Sequence, residues 1–489
     1  MPEQLRRTKI IATLGPASDG PGALKQLLSE GVNVVRLNLS HGTPDDHRQR
    51  AAAVRAAALE LGHEVAILAD LQGPKIRVER FANGPIYLEP NQLFTLDCRA
   101  DAADGDATRV GVGYHDLWRD VRPADVLLLD DGLIALEVVE VGDQSILCSV
   151  LLGGKLSDRK GINRQGGGLT VAALSDKDRN DIKLAAELGA DFLAVSFVKT
   201  ADDIVQARRL LQEAGGSAAL VAKIERAEAI ENLTEIIDVS DAVMVARGDL
   251  GVEIGDAELP GLQKKIIREA LLRSRVVITA TQMMQSMVES PIPTRAEVLD
   301  VANAVIDGTD AVMLSQETAA GKYPDKAVAA MRRVCLGAER QFEPAEDLRR
   351  GGDHRLDRTD QAIALAAMFL ADQIGARALV ALTESGATAQ ALSRYRSAVP
   401  IYALSRNAAA RRRMLLYRDV YPIDFDAHGV GPTQAARDAI RHLFTLGHLA
   451  VDDRVIVTTG DHTGKLGGTN TLKLLKVGHG GVAEGLGDL

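Results

Sequence analysis

Cysteine, aromatic residues and long apolar runs are all scarce in this sequence. The 489 residues include three cysteines, Cys98, Cys148 and Cys335, which are scattered and form no Cys-x-x-Cys pair. This usage argues against a disulfide framework or a zinc site and favours a reducing, cytoplasmic location. No apolar stretch approaches the roughly 20 residues that a membrane helix needs, and the first 13 residues lack the apolar core of a signal peptide.

Excess positive charge is also missing. The chain has 57 Lys and Arg against 67 Asp and Glu, a formal net charge of -10. This balance argues against nucleic acid or an anionic membrane as a partner, although a local basic site can still bind small anions. The length suits two or three domains, and a hydrophobic content of 46% is enough to build their cores.

Short β-branched runs alternate with amphipathic stretches such as Pro44–Leu61, Thr200–Glu213 and Leu262–Arg273. Several runs are almost wholly apolar, which is typical of parallel strands buried on both faces. Eight such β-then-α units predict an α/β fold built on a (β/α)8 TIM barrel. The eight runs are Lys9–Leu14, Val32–Leu39, Val65–Leu71, Phe192–Phe197, Ala219–Ile224, Ala242–Ala246, Val276–Ala280 and Ala311–Leu314.

Two further regions differ from this pattern. Residues 72–170 are rich in Gly, Asp and Val with short strand-like runs, and predict a small β-barrel cap inserted after the third strand. Glu343–Asp360 is charged and weakly periodic, as a linker would be. Alternation then resumes and predicts a C-terminal open α/β sheet. The expected domains are residues 1–71 with 171–345 for the barrel, 72–170 for the cap and 346–489 for the C-terminal domain.

In such a barrel, reacting groups lie where strands end. Lys223 and Arg36 end two runs and can neutralise a transferring phosphoryl group. Glu225 and Asp249 end adjacent runs and offer hard oxygen ligands for Mg²⁺. The amides around Gly248 can hold a carboxylate. Any one of these residues is more often an ordinary solvated loop residue, but polar groups at all eight strand ends favour phosphoryl transfer.

At these residues the sequence resembles pyruvate kinase. The resemblance spans all three predicted regions and rests on long, ordered motifs. They are Arg7–Ser18 (RTKIIATLGPAS), Val35–Gly42 (VRLNLSHG), Ala222–Glu225 (AKIE), Val245–Glu253 (VARGDLGVE), Ala280–Met283 (ATQM), Pro293–Glu297 (PTRAE), Asp300–Asp310 (DVANAVIDGTD) and Met313–Ala319 (MLSQETA).

The resemblance implies that phosphoenolpyruvate and ADP give pyruvate and ATP with Mg²⁺ or Mn²⁺, and that K⁺ takes part. It implies roles residue by residue. The catalytic group is Lys223, Arg36, Thr281 and Ser315. The substrate-binding group is Arg36, Lys223, Gly248, Asp249 and Thr281. The divalent ligands are Glu225 and Asp249. The monovalent site is Asn38, Ser40, Asp70 and the Leu71 carbonyl. The nucleotide contacts are Asn38, His41, Arg77 and Lys160.

The sequence departs from the family pattern near the monovalent site. Lys75 stands where many members carry glutamate, and Gln72 where many carry lysine. A fixed ammonium there can replace K⁺, so we expect the dependence on K⁺ to be weak or absent. The alternative is that Lys75 merely exchanges one salt-bridge partner for another.

In the C-terminal domain, the loop that the family uses for allosteric effectors reads Thr383-Glu-Ser-Gly-Ala-Thr388. Hydroxyls and amides at a strand-to-helix turn can bind phosphate, and an ordinary N-cap turn is the alternative. Glu384 would repel a second phosphate, so we expect a sugar monophosphate or AMP as effector. The predicted effector residues are Thr383, Ser385, Gly386, Ala387 and Thr388.

Other possibilities stay open at this point. A lyase acting on a keto acid could share the barrel, although the cap with Arg77 and Lys160 argues against it. A catalytically silent homologue would be expected to lack Lys223, Glu225 or Asp249. No G-x-x-x-x-G-K-[ST] loop occurs, because Gly460–Lys465 lacks that spacing. The family also suggests a homotetramer with contacts near Pro293–Glu297.

Overall fold

The computed structural model describes residues 5–102, 104–341, 358–395, 397–461 and 468–485. Most of the predicted linker and most of the loop after Gly460 lie outside these residues. Within the described ranges, every helix is too short or too polar to cross a bilayer.

The described residues form 22 strands. Their bounds in chain order are Lys9–Thr13 (β1), Val34–Asn38 (β2), Ala66–Asp70 (β3), Ile86–Leu88 (β4), Leu93–Asp97 (β5), Arg109–Gly111 (β6), Val126–Leu129 (β7), Ile134–Gly142 (β8), Ser145–Leu152 (β9), Gly154–Leu156 (β10), Ile162–Arg164 (β11), Phe192–Val195 (β12), Ala219–Ile224 (β13), Ala242–Ala246 (β14), Val276–Ala280 (β15), Ala311–Leu314 (β16), Ala378–Leu382 (β17), Ile401–Ser405 (β18), Val420–Asp424 (β19), Arg454–Gly460 (β20), Thr469–Val477 (β21) and Ala483–Glu484 (β22).

The same residues form 16 α-helices and three short 3-10 helices. The α-helices are Ala23–Ser29 (α1), Pro44–Leu61 (α2), Leu117–Asp120 (α3), Asp176–Glu187 (α4), Ala201–Glu213 (α5), Ala227–Glu231 (α6), Leu233–Val239 (α7), Arg247–Ile254 (α8), Leu259–Leu272 (α9), Arg295–Asp307 (α10), Gln316–Ala319 (α11), Pro324–Arg340 (α12), Thr359–Gln373 (α13), Ala387–Ser393 (α14), Ala408–Met414 (α15) and Pro432–Thr445 (α16). The 3-10 helices are Pro16–Ser18, Gln285–Val288 and His479–Gly481.

Eight parallel strands close into a barrel in the order β1-β16-β15-β14-β13-β12-β3-β2. The predicted (β/α)8 architecture is therefore confirmed. Strand β1 is buried along its whole length, as are β3, β14 and β15. Their apolar sequences suit this burial because helices cover the outer face and other strand residues fill the inside.

The helix after β2 shows how local sequence sets these boundaries. Thr43 caps α2 by accepting a hydrogen bond from the Asp46 amide, and the Asp46 carboxylate in turn accepts one from the Thr43 amide. Pro44 occupies the first turn, where its missing N–H costs nothing. The helix ends at Gly62, whose φ of 70° is left-handed. The element therefore matches its sequence prediction at both ends.

Strands β4 to β11 lie between β3 and β12 in the chain. We expected a small β-barrel here. The described strands instead form two separate sheets, a six-stranded sheet, β11-β7-β8-β9-β5-β6, and a two-stranded sheet, β10-β4. Both sheets contribute to one apolar core that includes Leu88, Phe94, Leu136 and Leu156. We call this region the cap. It is attached at the end of β3, the same end of the barrel at which the predicted site residues lie.

The C-terminal sheet has the order β19-β18-β17-β20-β21-β22, with parallel pairing from β19 to β20. The expected open α/β sheet is confirmed. Its two last strands, β21 and β22, pair antiparallel, and the sequence analysis did not foresee them. Only three of the nine residues of β21 are buried, so it lacks the continuous apolar run that marks the other strands of this sheet.

The C-terminal domain packs against the N-terminal end of the barrel. One apolar cluster joins barrel-interior residues such as Ile11 and Leu68 to Met368 and Leu392 of the C-terminal domain. Polar contacts surround this cluster. The Arg411, Arg412 and Arg413 side chains of α15 reach Glu64, Asp191 and the Ser217 carbonyl of the barrel, respectively. The barrel therefore carries the cap at one end and the C-terminal domain at the other.

A buried ion pair fixes this domain contact. Arg394 donates from Nη1 to Asp310 Oδ2 at 3.0 Å and from Nη2 to Asp310 Oδ1. The two side chains are 3% and 1% exposed. Asp310 also accepts hydrogen bonds from the Val277 and Arg418 amides. Removing either charge would leave the other buried without its partner.

We predict that Arg394→Met lowers stability by about 3–5 kcal/mol, because it leaves the Asp310 carboxylate buried and uncompensated. The urea midpoint followed by circular dichroism measures this loss. Arg209→Met is the matched control, since the Arg209–Glu213 pair is 66% and 62% exposed and contributes little. Equal midpoints for the two variants would contradict the prediction.

Candidate active site at the carboxyl ends of the barrel strands

Four charged side chains alternate in sign at the carboxyl ends of β2, β3 and β13. Arg36 Nε lies 2.6 Å from Asp70 Oδ2. The Lys223 ammonium lies 3.3 Å from Asp70 Oδ1 and 2.9 Å from Glu225 Oε1. The carboxylates of Asp70 and Glu225 are 1% and 2% exposed. The fold thus brings four predicted site residues, distant in sequence, into one contiguous network, which we call the charge network.

Neighbouring strand ends hold the charge network in place. Ser196 Oγ accepts a hydrogen bond from Lys223 Nζ at 2.7 Å and donates to the Leu71 carbonyl at 2.7 Å. The Phe197 amide donates to Glu225 Oε2 at 2.8 Å. Phe197 has a φ of 55°, a left-handed conformation that a bulky side chain rarely adopts. The tertiary structure therefore sustains local strain where it orients the carboxylate.

The electrostatics of the network follow from burial and neighbouring charges. Burial lowers the pKa of Lys223, but the carboxylates of Asp70 and Glu225 outweigh it and hold that pKa above its ordinary value. Burial raises the pKa of Asp70, but Lys223 and Arg36 together bring it below its ordinary value. Burial, with a contribution from the Asp249 carboxylate, holds the pKa of Glu225 above its ordinary value although the Lys223 ammonium acts in the opposite direction. Glu225 is therefore the member of the network whose negative charge is least compensated.

The chemistry of this donor set fits a divalent cation. Glu225 and Asp249 provide carboxylate oxygens just after β13 and β14, which pair as neighbouring parallel strands of the barrel. Among the described residues there is no group of three or more His, Cys, Asp or Glu able to hold a metal. A cation here would complete its shell with water and substrate, which is how Mg²⁺ is commonly bound.

Lys75 reaches Asp249, one of the two expected divalent ligands. Its Nζ lies 2.9 Å from Asp249 Oδ1 and 3.8 Å from Asp131 Oδ1. Burial lowers the pKa of Lys75, but Asp249 and then Asp131 raise it above its ordinary value. The ammonium is therefore held beside one of the two expected divalent ligands, and its ion pairs with Asp249 and Asp131 do not extend to Asp70 of the expected monovalent site.

The remaining residues expected for the monovalent site lie beside one another. Asn38 pairs with Asp70 in the register of β2 and β3, and Asn38 Oδ1 accepts a hydrogen bond from the Ser40 amide at 3.2 Å. The Leu71 carbonyl accepts from Ser196. These groups supply carbonyl and carboxylate oxygens at one edge of the barrel, next to the charge network.

The predicted carboxylate-binding residues lie in two adjacent segments, the first turn of α8 and the turn after β15. The Gly248 amide donates to Thr281 Oγ1 at 2.8 Å, and Thr281 Oγ1 donates to the Ala280 carbonyl at 2.7 Å. Thr281 and Gln282 both have left-handed φ values, 67° and 54°. Arg247 stabilises this turn, with Nη2 donating to the Thr281 carbonyl at 2.7 Å. The fold therefore places Gly248 and Thr281 in direct contact.

Ser315 follows β16 at the same end of the barrel. Its amide donates to Glu317 Oε2 at 2.6 Å. Its buried hydroxyl has no hydrogen-bond partner among the described residues. An unpaired buried hydroxyl calls for an explanation, and an ordered water or substrate atom supplies one.

The four predicted nucleotide contacts fall into two groups. Asn38 lies at the end of β2, and His41 is in the loop that follows. On the cap, Arg77 Nη1 donates to the Arg159 carbonyl at 2.9 Å, and Lys160 Nζ lies 2.8 Å from Asp130 Oδ1. The barrel and the cap therefore each supply two of the four.

Several supporting residues escaped the sequence analysis. Asp130 and Asp131 bind Lys160 and Lys75, and both have left-handed φ values. Asp178 accepts a hydrogen bond from the Gly73 amide at 2.9 Å, where the chain enters the cap. The Asp-Asp-Gly turn ending at Gly132 was a readable signal for the first pair. Nothing local marked Asp178 beyond its capping position in α4.

The predicted effector loop forms a tight turn between β17 and α14. Thr383 Oγ1 accepts from the Gly386 amide at 3.0 Å, and Ser385 Oγ from the Ala387 amide at 3.4 Å. Thr388 Oγ1 lies 2.5 Å from Thr469 Oγ1. Gly386 has a φ of 89°, so the turn requires glycine there.

Comparison with known proteins agrees with this geometry. The family model "Pyruvate kinase, barrel domain" matches residues 5–328, and "Pyruvate kinase, alpha/beta domain" matches residues 361–475. Pyruvate kinase II of Salmonella typhimurium is 51% identical over 481 residues, 98% of this chain and all of that protein. A pyruvate kinase of Haemophilus influenzae is 50% identical over 470 residues, 94% of this chain and 97% of that protein.

Solved structures lead to the same family. The crystal structure of a pyruvate kinase from Cryptosporidium parvum superposes with a TM-score of 0.91 at 32% identity, covering 96% of each chain. The matches extend over both the barrel and the C-terminal domain, and they agree with the resemblance seen in the sequence motifs. The chain belongs to the pyruvate kinase family.

Proposed function

We propose that the chain transfers the phosphoryl group of phosphoenolpyruvate to ADP, giving pyruvate and ATP, at the charge network. The observation that carries this proposal is the buried alternation of Arg36, Asp70, Lys223 and Glu225 at the mouth of the barrel. Phosphoryl transfer needs positioned cations and a metal site more than it needs covalent chemistry, and this arrangement supplies both. Membership of the pyruvate kinase family gives the same reaction.

Arg36 and Lys223 neutralise the negative charge of the phosphoryl group while it is transferred. Both are held by buried carboxylates and project from strand ends, so little reorganisation is needed at the moment of transfer. Lys223 stays charged because the pKa of its ammonium is raised. Once the phosphoryl group leaves, the same ammonium stabilises the enolate oxygen that remains.

Glu225 and Asp249 hold the divalent cation, Mg²⁺ or Mn²⁺. When bound, this cation offsets the charge that develops on the transferring phosphoryl group and on the enolate. Burial and the Asp249 carboxylate raise the pKa of Glu225 in spite of the Lys223 ammonium, so a cation bound there would offset negative charge that Lys223 leaves uncompensated. An ion bound to Asp249 competes with the Lys75 ammonium for that carboxylate.

Gly248 and Asp249, in the first turn of α8, and Thr281, directly after β15, bind the substrate carboxylate and orient the reacting carbon. The strained, hydrogen-bonded turn at Thr281 keeps these groups in place before substrate arrives. The unpaired Ser315 hydroxyl and Thr281 hold the water that delivers a proton to the enolate carbon. ADP lies between barrel and cap, against Asn38, His41, Arg77 and Lys160, because a phosphate-binding P-loop is absent from the sequence.

Other features complete the proposal. The proposed domain limits are residues 1–71 with 171–345 for the barrel, 72–170 for the cap and 346–489 for the C-terminal domain.

The three free, buried cysteines are the reason for placing the chain in the cytoplasm. A homotetramer is supported by large apolar side chains on and before α10, since Ile292 is 68% exposed and Leu299 is 65% exposed.

We predict that Lys223→Ala lowers kcat by about 10³- to 10⁵-fold, as expected when a cation on a transferring phosphoryl group is removed. A lactate dehydrogenase-coupled assay with phosphoenolpyruvate, ADP and Mg²⁺ measures it. Lys264→Ala, which removes an exposed ammonium on α9, serves as control and should retain wild-type activity. Pyruvate release from a larger keto acid, with no requirement for phosphoenolpyruvate or ADP, would instead favour a keto-acid lyase. No activity on either substrate would favour a silent homologue.

For the monovalent cation, the family generally uses K⁺, and we propose that Lys75 replaces it here. The fixed ammonium already supplies positive charge beside Asp249. We predict little change in rate when K⁺ is added to a Na⁺- and K⁺-free assay, and that Lys75→Glu makes the rate rise by roughly tenfold or more on adding K⁺. Lys183→Glu is the control for charge alone. A many-fold activation of the wild type by K⁺ would refute the proposal.

The effector proposed for residues 383–388 is a sugar monophosphate or AMP. The Glu384 carboxylate lies 3.5 Å from the Arg406 guanidinium. It therefore neutralises a nearby cation that could have bound phosphate, and its negative charge repels a second phosphate group. We predict that ribose 5-phosphate or AMP lowers the KM for phosphoenolpyruvate, and that Thr388→Val weakens this effect. Thr445→Val, on α16, is the matched control. Activation by micromolar fructose 1,6-bisphosphate would show that the argument from Glu384 is wrong.

A further inference from the structure

Residues 163–168, which we call the return segment, lead the chain from β11, the last strand of the cap, back toward the barrel. Three consecutive glycines in it, Gly166, Gly167 and Gly168, have left-handed φ values of 80°, 76° and 91°. Residues other than glycine rarely adopt such a run. No helix or strand includes these glycines, so contacts with the barrel hold them in place.

Helix α8 of the barrel provides the first of these contacts, through Glu253. The Gly166 amide donates to the Glu253 carbonyl at 2.9 Å, and Asn163 Nδ2 donates to Glu253 Oε1 at 3.4 Å. The Glu253 side chain is 2% exposed. Glu253 lies one turn after Asp249 in the same helix, so the return segment is bonded to the helix that carries one of the two expected divalent ligands.

The same carboxylate holds the start of α6. Glu253 Oε2 accepts a hydrogen bond from the Ala227 amide at 3.0 Å, and Glu253 Oε1 lies 3.8 Å from Arg226 Nε. Arg226 and Ala227 directly follow Glu225, the other expected divalent ligand. One buried carboxylate therefore connects both ligand-bearing segments with the return segment of the cap.

Glu228, in α6, contacts the glycine run directly. Its Oε1 accepts a hydrogen bond from the Gly168 amide at 2.6 Å, and its Oε2 lies 3.4 Å from Arg226 Nε. A Cβ added to Gly167 would lie 2.7 Å from Glu228 Oε2, which is closer than nonbonded atoms approach. The start of α6 and the return segment are thus in such close contact that a shift of one displaces the other.

The Glu253 carboxylate is balanced between burial and its neighbours. Burial raises its pKa to about 7 and Glu228 adds to this, whereas Arg226, the Ala227 amide and the Asn163 side chain act in the opposite direction. Arg226 Nε and Nη2 are buried without hydrogen-bond partners among the described residues, so Arg226 acts on Glu253 through its charge. Because burial strengthens such interactions, a small movement of Arg226 changes the stability of the Glu253 carboxylate.

We propose that Glu253 is a positioning residue that couples occupation of the divalent cation site to the orientation of the cap. A cation held by Glu225 and Asp249 draws together the two segments that carry them, and Glu253 passes this change to the return segment through Asn163 and Gly166. The inference rests on the proposed function, which assigns the cation to these two carboxylates. The cap carries two of the four proposed nucleotide contacts, so its orientation bears on ADP binding.

Hydrogen–deuterium exchange of the full chain, with and without saturating Mn²⁺, tests the coupling. In the wild type, Mn²⁺ should slow exchange in residues 225–231 and 247–254, and also in the return segment, which does not hold the ion. In Glu253→Gln, the first two responses should persist and the third should be lost. The amide keeps the size of the side chain but replaces an acceptor oxygen with a donor and removes the charge that attracts Arg226.

Glu235→Gln is the matched control, because it makes the same chemical change at an exposed carboxylate on α7. It should respond to Mn²⁺ like the wild type. Calorimetric titration should show that Glu253→Gln raises the Kd for Mn²⁺ by about tenfold, the size of effect expected when a residue that orients metal ligands is changed.

The coupled assay separates positioning from a merely structural role. In Glu253→Gln the KM for ADP should rise by about tenfold, whereas kcat at saturating ADP and Mg²⁺ should change by less than about twofold. A merely structural role would lower the fraction of folded enzyme, and so kcat, and would leave KM unchanged.

A return segment that ignores Mn²⁺ in the wild type, or that still responds to it in Glu253→Gln, would overturn the proposal. If Glu253→Gln does not fold, Asn163→Leu decides, since it should keep the wild-type affinity for Mn²⁺ and lose most of the response of the return segment. Absence of pyruvate formation by the wild type would contradict the proposed function instead, because the exchange measurement does not depend on turnover.

Discussion

The ammonium of Lys223, held between two buried carboxylates, is the interaction on which the site depends. In the protein interior, charges interact far more strongly than in water, so each member of the network needs a neighbour of opposite sign. Arg36 and Asp70 supply one side of this balance, and Glu225 supplies the other. Glu225 remains undercompensated, which gives the fold a reason to bind a divalent cation at this point.

Barrel closure makes this network possible. The four groups come from three strands that are far apart in the chain, and parallel pairing aligns their carboxyl ends. Closure also gives the barrel two different ends. The cap joins the chain at the end of β3, beside the charge network, whereas the C-terminal domain seals the opposite end through apolar packing and the Arg394–Asp310 pair. Chemistry and domain contact are thus separated by the length of the barrel strands.

Local pattern predicted most of the architecture. The eight barrel strands were found because each is a short apolar run, and their limits moved by at most two residues where the strands end in polar groups. The short cap strands such as β4 and β10, three residues each, were missed because three residues are too few to show a periodic pattern. Strand β21 was missed because its lysines interrupt the apolar pattern.

The sequence by itself determined the element types, the strand-end positions of Arg36, Lys223, Glu225 and Asp249, and the family resemblance, because these depend on local periodicity and short motifs. The tertiary structure alone decided the partners. It set Lys75 on Asp249 and Lys160 on Asp130, and it turned the arginines of α15 toward the barrel. In a sequence, nothing distinguishes the Asp or Glu that will pair with a given cation from the other acidic residues. Only the packed fold determines which of them lies within reach of a given ammonium or guanidinium group.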